Sequence, residues 1–277
     1  MSAVNHLVLT KFNILMSADH GAAAKRLEDD WLRQRLIEFE RFTVPSIRSQ
    51  DSREFRWLVF CDAESPSWFK DHMSERFGDV LDPLWVTDMR NATLGRVLQE
   101  RGYTDERRLV TTRIDNDDAM SRDYVATVQR HAALPNRTFL NFPRGLRSSN
   151  GALFRGYWQS NPFMSLIEEP RPDGTPFASV FIQQHHLVRK TERIVNVQHA
   201  PTWLRAMHAG NTVQTHVGLP MLDDRSDRFD VHWDSLPPAP RLSRKFGISL
   251  QGYVARVQRS KKVQSAANVL QRKRGAS

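Results

Sequence analysis

Cysteine is nearly missing from this chain. Cys61 is the only one among 277 residues, so no disulfide framework holds the fold and a reducing compartment suits it. Set in a strand-like apolar run, that thiol reads as a small core residue rather than a nucleophile. No stretch approaches the roughly 18 consecutive apolar residues of a membrane-spanning helix. Asn5, Lys11 and Asn13 interrupt the apolar stretch around Val8 and Leu9, so a signal-peptide core is not expected and the default location is the cytoplasm. Two nucleotide fingerprints are missing as well. There is no G-x-x-x-x-G-K-[ST] and no G-x-G-x-x-G, which removes the P-loop and dinucleotide-binding readings. His185, His186 and His199 lack zinc spacing, and Cys61 is too isolated to complete a set. The last absence is local: from Ser235 to Ser277 there is no acidic residue, while ten of the chain's 40 Lys and Arg fall there. The formal charge of +9 therefore belongs to the tail, and the body is within one charge of neutral. A nucleic-acid enzyme concentrates positive potential around its groove. No nucleic-acid partner is expected.

What is present is an ordinary globular composition, 40% hydrophobic and 26% charged, in a length that suffices for one large α/β domain or two small ones. Residues 6–12 read as a first strand, followed by a loop over 13–24. Leu32, Leu36 and Phe39 recur at helical spacing and predict a helix over residues 27–42, ending before Pro45. The run from Phe55 to Asp62 is continuously apolar and closed by an acid, the pattern of a strand covered on both faces. Ser65 as cap and Pro66 as first helical residue open a helix that runs to Phe77. A strand over 83–87, a helix over 93–101 stopped at Gly102, a strand over 109–114 and a helix over 121–133 follow. Such alternation predicts βαβ units and a mostly parallel sheet flanked by helices. Ligands of such sheets bind outside the carboxyl ends of the strands, where Asp62 and Asp115 fall. Beyond Pro135, residues 138–142, 151–158 and 179–182 read as strands of a smaller antiparallel extension that shapes an acceptor site. Residues 201–209 read as a helix ended by Gly210, and the chain past Pro237-Pro238-Ala239-Pro240 as a basic tail. No internal repeat is present.

The run Asp115-Asn116-Asp117-Asp118, at the end of an apolar strand, carries the chemistry. Carboxylates are hard oxygen ligands, and Mg²⁺ or Mn²⁺ takes one or two of them together with diphosphate oxygens. A turn that merely caps the next helix needs one acid, and three carboxylates within four residues repel one another. Asp115 and Asp117 therefore read as metal ligands, and the metal would neutralise charge on a departing nucleotide diphosphate.

The segment from Thr111 to Met120 looks like the D-x-D region of GT-A glycosyltransferases, and more narrowly resembles the bacterial family catalogued as rhamnosyltransferases. Supporting segments are Phe55 to Asp62, Asn141-Phe142-Pro143-Arg144-Gly145, Pro201-Thr202-Trp203-Leu204-Arg205 and His208-Ala209-Gly210-Asn211, in the same order. A bare D-x-D recurs by chance, whereas ordered segments do not. The resemblance covers residues 5–235 and leaves the tail outside. It implies a GT-A-like, Rossmann-like α/β fold, with a nucleotide-sugar half over 1–134 and an acceptor half over 135–235. It further implies metal-dependent transfer of a sugar, rhamnose by family label only, from a nucleotide-sugar donor to a glycan or lipid-linked acceptor in cell-surface polysaccharide synthesis.

On that resemblance Asp115 and Asp117 hold Mn²⁺ or Mg²⁺. His208 either completes the metal site or is a helix C-terminal histidine favoured by the helix dipole. Asp62 either contacts the nucleotide base or ribose or opens a solvated loop. Arg96 either clamps phosphate or is a solvated helix arginine. Thr10, Asn13, Asn116 and Asp118 complete the donor-binding candidates, and Arg113 compensates the acidic charge. No catalytic base is assigned: Glu168, Glu169, Asp173 and His199 are the candidates, and a retaining enzyme would need none in that place. Trp158 and Trp203 read as core residues before sugar-stacking platforms. The tail, with Val254, Val257, Val263, Val269 and Leu270 among its basic residues, is either a solvated extension or a segment that lies on an anionic membrane at its inner face. Two functions compete. A metal-dependent phosphohydrolase or nuclease would call for more clustered His and Asp and for positive charge at the site. A non-catalytic carbohydrate- or nucleotide-binding relative would keep the fold alone.

Overall fold

The computed structural model describes residues 4–14, 25–87, 91–103, 107–170, 175–207 and 218–254. Its strands are β1 (Val4–Lys11), β2 (Arg56–Asp62), β3 (Asp82–Val86), β4 (Arg108–Arg113), β5 (Asp118–Met120) and β6 (Thr138–Asn141). They continue with β7 (Arg144–Ser149), β8 (Ala152–Tyr157), β9 (Ser165–Glu168), β10 (Arg193–Asn196), β11 (Trp203–Met207) and β12 (Leu219–Pro220). The helices are α1 (Asp29–Glu38), α2 (Ser67–Phe77), α3 (Asn91–Glu100), α4 (Tyr124–Arg130), α5 (His185–Thr191) and α6, over residues 242–254.

The first sheet has the order β10-β6-β9-β4-β1-β2-β3, and every neighbouring pair in it is parallel except those that β9 makes. Successive residues of its strands feed opposite cores. Val8, Val59, Cys61 and Val110 face Phe39, Phe69 and Phe77, while Leu7, Leu9, Leu58 and Phe60 face Leu94, Leu98 and Val188. Helices thus cover both faces, which is why the strands read as continuous apolar runs. Cys61 is part of this core, and burial, with Asp62 beside it, pushes its thiol far up from the usual range. α3 ends as expected: Gly102 has φ +67° and the Tyr103 N–H reaches back to the Leu98 carbonyl at 2.9 Å. The second sheet, β12-β8-β7-β11-β5, is antiparallel except where β11 meets β7. This is the α/β architecture with a smaller, mostly antiparallel extension that the sequence predicts.

Several elements differ in detail, each for a physical reason. The first long helix does not stop before Pro45. It passes through a π-helical turn, Phe39–Thr43, into Val44–Arg48. Proline cannot donate to the carbonyl four residues back, that of Arg41, and the His232 N–H takes that acceptor instead at 3.0 Å. Ser65 does not cap α2; its hydroxyl accepts from Asn13 Nδ2 at 2.9 Å, and Pro66 occupies the cap position. The helix expected over 121–133 shortens to α4, and the Ser121 and Arg122 N–H groups before it bond instead to the Thr202 and Arg228 carbonyls at 2.9 Å each. Residues 138–142 supply β6 to the first sheet rather than to the extension. Residues 179–182 form a 3₁₀ turn, not a strand: Ser179 has φ +64°, and the Glu168 carboxylate accepts the Ala178 and Ser179 N–H groups at 2.9 Å each. The helix expected over 201–209 is β11. Trp203 and Leu204 point to opposite faces and both are fully buried, so no period-two pattern shows in the sequence.

Trp203 lies flat under the second sheet because its neighbours in β7 and β8 have no side chain there. A Cβ on Gly145 would overlap the indole ring, and one on Gly156 would meet it at 2.6 Å. Gly145→Ala should therefore lower stability by about 2–3 kcal/mol, read as a lower thermal midpoint. An unchanged midpoint would show that the ring does not press on that backbone. His6 gives a second test. It is buried with Nε2 2.8 Å from the Thr112 hydroxyl, and burial pulls its pKa down to about 3. Below about pH 6.5 the unfolded chain takes up a proton that folded His6 refuses, so stability is retained above that pH and lost below it. The loss is up to about 1.4 kcal/mol per pH unit. Urea unfolding of His6→Gln should show a flatter pH dependence between about 6.5 and 5 than the parent protein, whatever its absolute stability. An equal slope would count against a neutral buried imidazole.

Candidate functional site

The carboxyl ends of β1, β2 and β4 meet at one edge of the first sheet, and asparagines stitch them together. Asn13, just past β1, accepts the Asp62 N–H at 3.0 Å and donates to the Ser65 hydroxyl at 2.9 Å and the Arg26 carbonyl at 3.3 Å. Asn116 donates to the Phe12 carbonyl at 3.1 Å and so pins the acidic loop to the end of β1. Asp62 is 3% exposed, which removes the solvated-loop description of it. Its carboxylate accepts from Arg26 Nε at 2.9 Å and from the Glu64 N–H at 2.8 Å. Thr10 lies inside the sheet, where its hydroxyl accepts from the Trp57 indole at 3.0 Å. Arg96 is exposed on α3 and makes no hydrogen bond or ion pair with this cluster among the described residues. His208 lies outside the described residues.

Each acid of the loop has its own compensation. Arg113 grips Asp115 through Nε at 3.1 Å and Nη2 at 2.9 and 3.2 Å, and the Asp115 side chain is 33% exposed. Burial alone would raise the Asp115 carboxyl, but Arg113 and Lys11 outweigh it and hold the group below the usual carboxylate range. Asp117 pairs with Arg35 of α1 at 3.1 Å, and the same guanidinium donates to the Asn116 side-chain carbonyl. Asp118 is almost fully buried and accepts the Ala206 N–H at 3.0 Å. Burial, reinforced by Asp117 and Asp115, pushes its carboxyl well above the usual range. Thr43, in the π-helical turn, donates to the Asp118 carbonyl at 2.9 Å. Sequence reasoning missed Arg26, Arg35 and Thr43. The available signal was Arg35 itself, a charge set between the buried Leu32 and Leu36.

Beside this loop stands a wall of cations and rings. Lys11 and Arg113 lie over the Phe181 ring, 5.2 and 5.6 Å from its centroid. Arg147 and Arg205 lie over the half-buried Trp158 at 5.8 and 5.6 Å, and His185 meets Trp158 edge-on at 5.4 Å. Arg147 is in register with Arg205, and Arg205 with Asp118, so all three share one face of the second sheet. His185 feels the charges of Arg113, Asp115 and Arg205, and burial chiefly pulls its pKa down to about 4. Burial and Arg113 likewise pull Lys11 down to about 8. Trp203 is core, stacked on Phe163 at 5.4 Å with its indole N–H on the Phe142 carbonyl at 2.9 Å.

Two of the base candidates, Glu168 and Glu169, are not brought to the loop. Glu168 is in register with Leu109, at the far end of β4 from Asp115 and so roughly 20 Å away along the strand. Glu169 pairs with Arg108 at that same far end. His199 sits 3.7 Å from the Asp123 carboxylate, and Asp173 lies outside the described residues.

Asp115 and Asp117 offer hard oxygens, and Asp115 is the more open. Among the described residues no three His, Cys, Asp or Glu converge as a ligand set. A divalent cation here would rest on two carboxylates plus the phosphates of its ligand, an arrangement that Mg²⁺ commonly uses. Asp118 is closed off from that role by burial and by its bond to Ala206. In metal-free protein, Asp118→Asn should change stability by less than about 1 kcal/mol, because the amide keeps the acceptor that the Ala206 N–H uses and brings no charge to repel Asp115 and Asp117. A thermal-unfolding loss several times larger would mean that Asp118 is needed as an anion.

No curated protein matches the chain. Among solved structures it is similar to Staphylococcus aureus TarS 1–349 in complex with UDP, at 13% identity and a TM-score of 0.43 over 75% of this chain and 61% of that one. It is also similar to the mannosyltransferase PcManGT from Pyrobaculum calidifontis in complex with GDP-Man and Mn²⁺, at 15% identity and a TM-score of 0.41 over 74% of this chain and 58% of that one. The chain spans 37% of the longer TarS structure. The model of the family described as "Putative rhamnosyl transferase" matches residues 5–219, and the chain belongs to that family of glycosyltransferases.

Proposed function

We propose that the chain is a metal-dependent transferase that moves a sugar from a nucleotide-sugar donor to a glycan or lipid-linked acceptor in cell-surface polysaccharide synthesis. Rhamnose is the sugar the family label indicates. The observation that carries this reading is the acidic loop itself. Asn116 and Arg35 fix it at the strand ends, and Asp115 is left partly open with the cationic, aromatic wall close by. In this reading Asn13 and Asp62 hold the nucleoside, with Thr10 bracing the strand beneath and Arg96 reaching the phosphates from α3. Asn116 and Asp118 shape the loop. Asp115 and Asp117, joined by His208, hold Mn²⁺ or Mg²⁺, which would act as a Lewis acid on the departing diphosphate. Lys11 and Arg113 add fixed positive charge beside that position, which needs no reorganisation during the reaction. Trp158 offers a ring face to a sugar, with Arg147 and Arg205 to hold polar substituents. Residues 1–134 supply the nucleotide-sugar half and 135–235 the acceptor half. The site works on the cytoplasmic side, at the inner face of the membrane. No helix among the described residues is long and apolar enough to cross a membrane.

The wall also supplies the positive charge that a phosphohydrolase would require. The clustered ligands of a two-metal centre do not accompany it among the described residues, and the family match favours transfer.

A panel of nucleoside diphosphates and nucleotide sugars, with and without Mn²⁺, tests the reading by thermal shift. At least one should stabilise the protein by about 2–3 kcal/mol at a hundredfold excess over its dissociation constant, and more with the metal. Asp115→Ala and Asp117→Ala should abolish the metal-dependent part and lower transfer about a hundredfold or more. If no nucleotide shows metal-dependent stabilisation, or if Asp117→Ala transfers at the parent rate, the assignment fails.

A further inference from the structure

Large apolar side chains left exposed among the described residues are not scattered. Apart from Ile37 and Tyr157, all of them gather near the β12 edge of the second sheet. Leu219 and Leu222 lie at β12, and Leu242, Phe246, Leu250, Tyr253 and Val254 lie on α6, each between 43% and 80% exposed. Leu242, Phe246, Leu250 and Tyr253 follow at three- and four-residue spacing, so they form one stripe along the helix. Among the described residues, that stripe does not hold α6. Other residues do so: Lys245 Nζ reaches Asp224 at 2.6 Å and the Met221 carbonyl at 3.3 Å, and Ser249 donates to the Gly218 carbonyl at 2.5 Å. Ile248 packs on Ala152 and Phe154. The helix is thus anchored along one flank and offers its apolar flank to something else. It opens the segment that carries ten basic residues and no acidic one.

We infer that α6 and the adjoining β12 edge form the surface by which this protein lies on an anionic membrane. The stripe would enter the boundary between headgroups and acyl chains, and the basic residues would meet lipid phosphates. Charge decides between this occupant and a second copy of the chain. A self-paired face would bring two such basic segments together, whereas anionic lipid attracts both. The placement also bears on chemistry. Phe154, beneath α6, is in register with Arg147, which continues through Arg205 to Asp118. The helix therefore sits on the same sheet face as the cationic wall, three strand spacings or roughly 15 Å from Asp118. A lipid-linked acceptor held in the bilayer would meet that wall directly. This last point rests on the transferase reading; the membrane contact does not.

Sedimentation of the full chain with vesicles tests the contact. Phosphatidylcholine vesicles containing about a quarter phosphatidylglycerol should bind it about tenfold or more tightly than phosphatidylcholine alone, and rising salt should weaken the binding. The double variant Phe246→Ser, Leu250→Ser should bind the anionic vesicles about tenfold or more weakly, with unchanged circular dichroism and unchanged nucleotide-induced thermal shift. In the unmutated protein, amide exchange across residues 242–254 should slow on anionic vesicles and not on neutral ones. The inference is overturned by absence of binding to anionic vesicles, by full binding of the double variant, or by unchanged exchange over 242–254. It is equally overturned if vesicles are ignored while light scattering shows a dimer that the double variant dissolves. Nucleotide binding requires no lipid, so failure here and failure of the transferase reading remain separate results.

Discussion

The acidic loop imposes the strictest condition on this fold, since Asp115, Asp117 and Asp118 lie within four residues and two of them are buried. Carboxylates removed from water need partners, and close like charges make the need greater. The protein meets it with three unlike groups: the Arg113 fork, the Arg35 guanidinium and the Ala206 N–H. Each answer dictates a piece of architecture. Arg35 requires α1 to run beside the loop, and Thr43 requires the helix to continue through its π-helical turn. The bond to Ala206 requires β11 to lie against β5, and so ties the second sheet to the first.

The loop is consequently a joint as well as a site. β4 leads into it from the first sheet and β5 leaves it in the second, so the two sheets cannot shift without moving the acids. One side, built by Asn13, Asp62 and Asn116, is a network of neutral amides and paired charge. The other side is cationic, with Lys11, Arg113, Arg147 and Arg205 drawn from four strands. A body that is near neutral by residue count therefore holds a concentrated positive wall. Counting charges along the chain averages such a wall away; only the strand order assembles it.

Legibility followed burial. β1, β2 and β4 could be read because a parallel sheet covered by helices leaves unbroken apolar runs ended by acids. β11 could not, since Trp203 and Leu204 are buried on opposite faces and Trp203, Leu204, Ala206 and Met207 mimic helical spacing. Pro45 signalled a helix end because local chemistry forbids one hydrogen bond there, and the compensating donor, His232, lies far along the chain. Ser65 carried the mark of a helix cap, but a better partner, Asn13, arrived from another strand. In each case a local preference was real and a distant group outbid it.

By itself the sequence determined the parallel αβ layering, the position of the acids at a strand end, the inert thiol of Cys61 and the concentration of positive charge in the last segment. These follow from periodicity and composition, which are local properties. Tertiary structure alone decided which carboxylate stays open, because that depends on Arg35, Arg113 and Ala206 arriving from separate elements. It also decided that Trp158 stands in the wall while Trp203 is sealed in the core, and that Glu168 lies at the wrong end of the sheet. Those outcomes depend on register and strand order, and on burial that no short window of sequence contains.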